Sequence, residues 1–252
     1  MKENRIGIIK DLIEKNGRMS LEQLGERFPN VSSMTLRRDL LSLEESGVLV
    51  RVRGGAVSVQ ELSKKTEDQY SRRAAIQVAE KKQIAEKAVR LVEPGTSLFI
   101  DSGSTALYFA KELPDLNYFI STNGITIAQE LMRKKMPVVT LFGGEVSRSN
   151  MSTIGQTAIT DLERINIDTA IMAATAFTED GHFCCGLFAE SEIKKNVCAR
   201  VKKRIMLLDT SKVGKVMPYT FATLSDIDIL VTDNNFPQEL KEKIIAQGVT
   251  VI

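Results

Sequence analysis

The chain has 252 residues, enough for one large or two smaller domains with a substantial buried core. Its formal net charge is only +2, which excludes a protein that is basic throughout, so any nucleic-acid contact must be a local patch. No apolar run nears bilayer-spanning length, residues 1–5 open no signal-type apolar stretch, and the three cysteines form no disulfide framework; we expect reduced thiols in a cytoplasmic protein.

Residues 3–16 place Ile6, Ile9, Leu12 and Ile13 on one helical face and stop at Gly17. Residues 20–28 read as a short second helix. In the next segment Leu36, Leu40 and Leu43 recur at helical spacing, with Ser32 or Ser33 as N-cap and Gly47 as the stop. With those leucines inward, Met34 and Arg38 point away from the core, and Thr35 and Arg37 lie on the flanks. Two adjacent arginines on an exposed helix face suit phosphate oxygens or a guanine edge. From Val48 to Val57 apolar and basic residues alternate across Gly54-Gly55, which predicts a hairpin carrying Arg51 and Arg53. A helix followed by a basic hairpin is the plan of a winged helix-turn-helix: the helix enters the major groove and the hairpin lies along the backbone. The plain alternative is a solvated charged helix beside an ordinary hairpin. The candidate DNA contacts are Ser33, Met34, Thr35, Arg37, Arg38, Arg51 and Arg53, on a unit spanning residues 1–59.

Residues 60–69 are polar and poor in β-branched side chains, and read as a linker; a helix running straight through is the alternative. A long helical pattern over 70–91 carries Ile76, Ala79, Ile84, Ala88 and Leu91, and ends at Glu93-Pro94-Gly95. Strands then alternate with helices. We place strands at 97–100, 118–121, 137–142, 169–174, 204–209, 227–231 and 249–251, and helices at 105–113, 125–133, 157–162, 192–201 and 237–247. The alternation predicts an α/β domain over 70–252 whose mostly parallel sheet is covered on both faces.

Ligands of such sheets sit beyond the carboxyl ends of the strands. The first strand is followed by Asp101-Ser102-Gly103-Ser104-Thr105, where glycine, two hydroxyls and a helix start suit an anion. Later strand ends offer Ser121-Thr122-Asn123-Gly124, Gly143-Gly144-Glu145 and Asp209-Thr210-Ser211-Lys212. Turns after strands are polar and glycine-rich in any case. Converging on one rim, however, these four point to a phosphorylated polyhydroxy ligand. Ser104, Thr105 and Lys212 would hold the phosphate and Asp101, Asn123 and Glu145 the hydroxyls, with Gly103, Thr122, Gly143 and Gly144 completing the rim.

Ser20-Leu21-Glu22-Gln23-Leu24, Val31-Ser32, Thr35-Leu36-Arg37-Arg38-Asp39-Leu40, Leu43-Glu44, Gly47 and Arg51-Val52-Arg53-Gly54-Gly55-Ala56 resemble the N-terminal signature of the DeoR family of bacterial transcription regulators. Pro29-Asn30 lengthens the turn before Val31, and Arg53 stands where the family often has His. Residues from about 79 to 233 resemble that family's C-terminal effector domain, which is similar in fold to ribose-5-phosphate isomerase. Residues 101–105 resemble the isomerase's phosphate loop, and 209–212 its lysine-bearing motif. The segment with Glu190, Glu192 and Lys194 also resembles the isomerase, adding Glu190 and Lys194 to the candidate effector residues. The resemblance implies a repressor of sugar-metabolism genes, forming dimers or tetramers. It would bind double-stranded operator DNA under control of a sugar phosphate, with no catalytic residues, cofactor or metal.

Two other functions compete. An aldose–ketose isomerase needs a carboxylate to move a proton between adjacent carbons. The isomerase keeps acids just after the strand that matches 169–174, where this chain has Ala174-Thr175-Ala176-Phe177 and not the glycine usual in the DeoR family. A metal- or redox-sensing regulator could use His182, Cys184 and Cys185, with Cys198 as a further ligand; a variable loop of ordinary residues is the plain reading of that stretch.

Overall fold

A computed structural model describes residues 2–52, 54–58 and 70–252. Arg53, Val59 and the 60–69 segment read as a linker lie outside the described residues. The chain divides into two units, Met1–Glu67 and Asp68–Ile252.

The first unit contains α1 (Lys2–Asn16), β1 (Arg18–Ser20), α2 (Leu21–Arg27), α3 (Ser33–Glu45), β2 (Leu49–Val52) and β3 (Gly55–Ser58). Its core is small: Ile9, Ile13, Leu24, Leu36, Leu40, Leu43, Leu49 and Ala56. The ends of α2 and α3 follow from side-chain caps. Ser20 and Gln23 form a reciprocal capping box at α2, and Ser32 Oγ accepts from Thr35 N–H at 3.2 Å at α3. Asp39, buried on α3, takes both oxygens to Arg5 of α1, at 2.7 and 3.2 Å, so this fork-on-carboxylate pair fixes the helix crossing. The expected hairpin gains a third strand, in the order β1-β3-β2. Three residues are too few for β1 to show a period in sequence. The two glycines divide the work. Gly54 adopts φ +84°, which supplies the turn. At Gly55 a Cβ would lie 2.2 Å from the Met19 carbonyl oxygen, so only glycine lets β1 pair with β3.

The second unit is built on seven strands: β4 (Ser97–Ile100), β5 (Phe119–Thr122), β6 (Val138–Leu141), β9 (Thr169–Ala173), β12 (Lys203–Leu208), β14 (Ile229–Thr232) and β15 (Thr250–Val251). Every neighbouring pair is parallel, in the order β15-β14-β12-β9-β4-β5-β6. On one face Leu98, Ile100, Ile171, Ile205, Leu207 and Val231 pack against α5 (Val78–Ala88), α6 (Ser104–Glu112) and α7 (Ile125–Leu131). On the other, Phe99, Met172, Met206, Leu208 and Leu230 pack against α8 (Gln156–Glu163), α9 (Phe188–Arg200) and α10 (Gln238–Ile245). This is the α/β class that alternation implies.

Several boundaries differ from the sequence reading. The pattern over 70–91 is not one helix. It breaks into α4 (Tyr70–Ala75) and α5, with Gln77 at φ +51° between them, a conformation that costs a non-glycine residue about 1 kcal/mol. Lys81 makes the break possible by donating to the backbone carbonyls of Arg73 and Ile76, which no longer continue a helix. α9 starts four residues before the expected 192, which brings Glu190 and Lys194 onto the same helix. The His182 stretch is not a loop: it forms β11 (His182–Cys185), central in a small antiparallel sheet with β10 (Ala176–Phe177) and β13 (Tyr219–Thr223). A hairpin of β7 (Glu145–Ser147) and β8 (Ser152–Ile154) follows Gly144.

Candidate functional site

On the first unit, the start of α3 presents Ser33, Met34, Arg37 and Arg38 to solvent, with Met34 73% exposed. Met34 and Arg38, one turn apart, share that exposed face. Arg37 and Arg38 make no ion pair among the described residues. Thr35 is half-buried, and its hydroxyl lies 2.9 Å from the capping Ser32 Oγ. Arg51 is engaged. Its backbone N–H donates to Glu44 Oε1 at 2.8 Å and its Nε to Oε2 at 2.5 Å. The charge expected to meet DNA is thus partly neutralised, and the residue pins the hairpin to α3. Arg53 is outside the described residues.

On the second unit, the chain runs from β4 outward to β5 and β6 and returns to place β9 on the other side of β4. The carboxyl ends of β4 and β9 therefore border a topological switch point. Asp101, just after β4, is fully buried there. Its Oδ2 accepts from Ala173 N–H at 3.0 Å and from Lys194 Nζ. Lys194 also donates to the Ala173 carbonyl at 2.9 Å and pairs with Glu190 at 3.3 Å. The one-turn spacing on α9 puts Glu190 and Lys194 on one stripe. Burial alone would lower the Lys194 pKa; the Asp101 and Glu190 carboxylates outweigh it and hold the ammonium above its ordinary range. Glu190 accepts in addition from Asn150 Nδ2, and Asn150 Oδ1 accepts from Arg73.

A second cationic centre lies at the ends of β12 and β4. Lys212 Nζ is 3.2 Å from Asp209 and 3.4 Å from Thr105 Oγ1. Burial lowers the Lys212 pKa, Asp209 opposes this, and Arg73 and Lys194 lower it further. Gly103, at φ +124°, leads into α6 with no side-chain cap. The first N–H groups of that helix, which include those of the buried Ser104 and Thr105, are available to an anion. Buried side-chain atoms without a hydrogen-bond partner among the described residues include Asp101 Oδ1, Ser102 Oγ, Asn123 Oδ1 and Ser152 Oγ. A backbone bridge between Gly124 and Ser152 joins the chain after β5 to β8.

Not every expected residue converges. Thr122 is occupied by the backbone: its Oγ1 donates to Ile100 O at 2.6 Å and accepts from Gly124 N–H at 2.9 Å. Gly143 N–H donates to Asp161 at 2.8 Å. Gly144 stands where a Cβ would meet Ile154 O at 2.4 Å, which closes the β7–β8 hairpin. Glu145 is exposed on β7. Conversely, Arg73, Lys81, Ser102, Asn150 and Ser152 join the polar rim although the sequence reading did not choose them. Lys81 carried a signal, since it falls three residues after Val78 and before Ile84 on an otherwise apolar stripe. Arg73 and Asn150 carried none: Arg73 sits on α4, and Asn150 in the turn of the β7–β8 hairpin, which is too short to show a period.

The three cysteines are buried, and burial pushes all their thiols up, Cys198 to about 12. Successive strand residues face opposite sides. Accordingly Cys185 packs in the large core while Cys184 packs with Ala176 and Met217. The pair does not converge on one ion.

A family model of the DeoR C-terminal sensor domain matches residues 76–234, and one of the DeoR-like helix-turn-helix domain matches residues 5–62. The chain is 33% identical over 242 residues to the HTH-type transcriptional regulator GolR of Listeria innocua, covering 95% of this chain and 94% of that one. It is likewise 33% identical over 237 residues to the lactose phosphotransferase system repressor of Streptococcus mutans, covering 92% of each. Ribose 5-phosphate isomerase A from Methanocaldococcus jannaschii overlays 54% of this chain and 55% of its own, with 21% identity and a TM-score of 0.40. With a helix-turn-helix at its start and a sensor domain over most of the remainder, the chain belongs to the DeoR family of DNA-binding transcription regulators.

Proposed function

We propose that the protein is a repressor of sugar-metabolism genes whose affinity for a double-stranded operator is set by a sugar phosphate bound at the switch point of the parallel sheet. Residues 1–59 read the operator through α3, residues 60–69 connect, and residues 70–252 bind the effector. The observation that carries the reading is the group of buried, unpartnered polar atoms after β4 and β5, together with Lys212 against Thr105 at the uncapped start of α6. Buried acceptors such as Asp101 Oδ1 and Asn123 Oδ1 cost roughly 1–3 kcal/mol each when left unpaired, and ligand hydroxyls satisfy them. The ammonium and helix start supply charge-assisted donors for a phosphate.

Regulation without turnover fits the acids present. Glu190 is held by Lys194 and Asn150, and no carboxylate follows β9 before Glu179. Two copies per operator, as dimer or tetramer, suit a helix-turn-helix of this size, which reads paired half-sites. The cytoplasm is the compartment this reading requires.

The test is operator affinity titrated with a panel of sugar phosphates and the matching free sugars. One phosphorylated sugar should shift the affinity and its free form should not, a discrimination on the order of several kcal/mol. Lys212→Ala should lose the response while keeping effector-free operator affinity. Equal action of free and phosphorylated sugars would overturn the assignment. Conversion of ribose 5-phosphate to a ketose by the purified protein would show an enzyme instead.

A further inference from the structure

The groups at the rim do not end at the ligand pocket. Asp101, Lys194, Glu190, Asn150 and Arg73 form one continuous chain of hydrogen bonds and ion pairs. It begins at the loop after β4 and ends on α4, the first described element after the 59–69 segment. Arg73 also donates to Ser149 O at 2.8 Å, so it grips the β7–β8 turn as well. Lys81 holds α4 from its other end. It is buried on α5, and it spends two of its three ammonium protons on the carbonyls of Arg73 and Ile76. Between α4 and α5 lies Gln77 at φ +51°, a backbone state that persists only while the contacts around it hold it. Tyr70 OH also lies 2.7 Å from Thr126 Oγ1, and Tyr108 OH donates to Ala74 O at 3.3 Å, so α4 touches the helices that open after β4 and β5 as well.

We propose that α4 is the element through which effector occupancy leaves the site, with Arg73 and Lys81 as the positioning residues that tie its seating to the bound ligand. The inference rests on the effector reading above. A ligand hydroxyl donating to Asp101 draws on the carboxylate that anchors Lys194, and through Glu190 and Asn150 alters the grip on Arg73. An anion beside Lys212 accepts a hydrogen bond from the ammonium proton that Lys81 does not spend on α4. Burial first, and then the Lys212 charge, push the Lys81 pKa down to about 8, with Asp209 and Glu80 opposing and Arg73 adding to the fall. Each ligand can shift such an equilibrium only by its differential affinity for the two seatings, and here the same side chains serve ligand and helix.

The experiment is hydrogen–deuterium exchange on the full chain, alone and with saturating ribose 5-phosphate, glycerol 3-phosphate or inorganic phosphate. For at least one probe, peptides covering 70–78 should change exchange together with those covering 103–107, by threefold or more in rate. In Lys81→Met the 103–107 response should persist, with affinity weakened about tenfold, while the 70–78 response disappears. The wild-type measurement stands even where that variant folds poorly. Protection at 103–107 with 70–78 unchanged overturns this proposal and leaves the effector reading standing. No response at 103–107 to any probe removes the effector reading, and this proposal with it.

Discussion

Lys194→Met replaces a buried cation by a side chain of similar length and no charge. It leaves the fully buried Asp101 and Glu190 without their shared cation. Asp101 Oδ2 then keeps only the Ala173 N–H, and Glu190 keeps Asn150. Breaking a buried pair by removing one partner costs about 3–5 kcal/mol, because a charge is left uncompensated in a poor solvent for it. For a unit of this size that corresponds to a fall in melting temperature of roughly 6–20 °C. All four tyrosines (Tyr70, Tyr108, Tyr118 and Tyr219) lie in the second unit and the chain has no tryptophan, so tyrosine fluorescence during urea unfolding follows that unit alone. The pH dependence gives a second signature. Burial already pushes the Asp101 pKa up, with Lys194 opposing it. Without Lys194 it rises further, so the folded state binds that proton more tightly than the unfolded state does. Stability is then gained as pH falls, and the deficit should be largest near pH 7 and shrink toward pH 5. Asp101→Asn in the same background should recover part of the loss. A cost under about 1 kcal/mol, unrelieved by acid or by Asp101→Asn, would show that water reaches the pair and would refute the buried-ion argument.

Arg38→Ala should weaken operator binding by roughly 1–3 kcal/mol while leaving the fold intact; unchanged anisotropy-measured affinity when Arg37 and Arg38 are both alanine would remove α3 as the reading helix. Arg51→Ala should lower affinity for all sequences alike and scarcely alter the salt dependence, since Glu44 already neutralises the guanidinium; a drop of one in the salt slope would show a direct phosphate contact. Gly55→Ala should destabilise the first unit by about 1–3 kcal/mol through the clash with Met19, read by amide exchange in residues 18–20 and 55–58; full retention of that protection would contradict the close β1–β3 approach. Affinity for the sugar phosphate should decline as pH rises through 8, because Lys81 loses its proton there, and binding at pH 8 should take up protons; a flat profile from pH 7 to 9.5 would place Lys81 outside the anion's reach.

The parts of the fold written in local periods were legible. The leucine stripe of α3 and the glycine pair of the hairpin each occupy a window shorter than fifteen residues, and the βα alternation is a succession of such short segments. What was not legible depends on neighbours far away in sequence. β1 exists because β3 accepts it, and the break at Gln77 exists because Lys81 reaches back. His182–Cys185 alternates weakly and reads as a loop until β10 and β13 supply its edges. The candidate site divides in the same way. Strand-end motifs led to Asp101, Ser104, Thr105, Asn123 and Lys212. They also led to Thr122, Gly143 and Gly144, whose polar or small character serves the backbone around them. Arg73 and Asn150 belong to the rim through a chain of contacts that no spacing announces.

The position of β4 beside β9 has a consequence for the order of events in a growing chain. The two central strands are separated by some seventy residues of β5, β6, the β7–β8 hairpin and their helices, and Lys194 and Lys212 come later still. The Asp101–Lys194 and Thr105–Lys212 contacts cannot form until most of the second unit has been synthesised, and such distant pairings form slowly. The first unit has its own core and short-range contacts, and it emerges first from the ribosome. During each round of synthesis there is accordingly an interval in which the helix-turn-helix unit can be folded while the sheet of the sensor domain is still open.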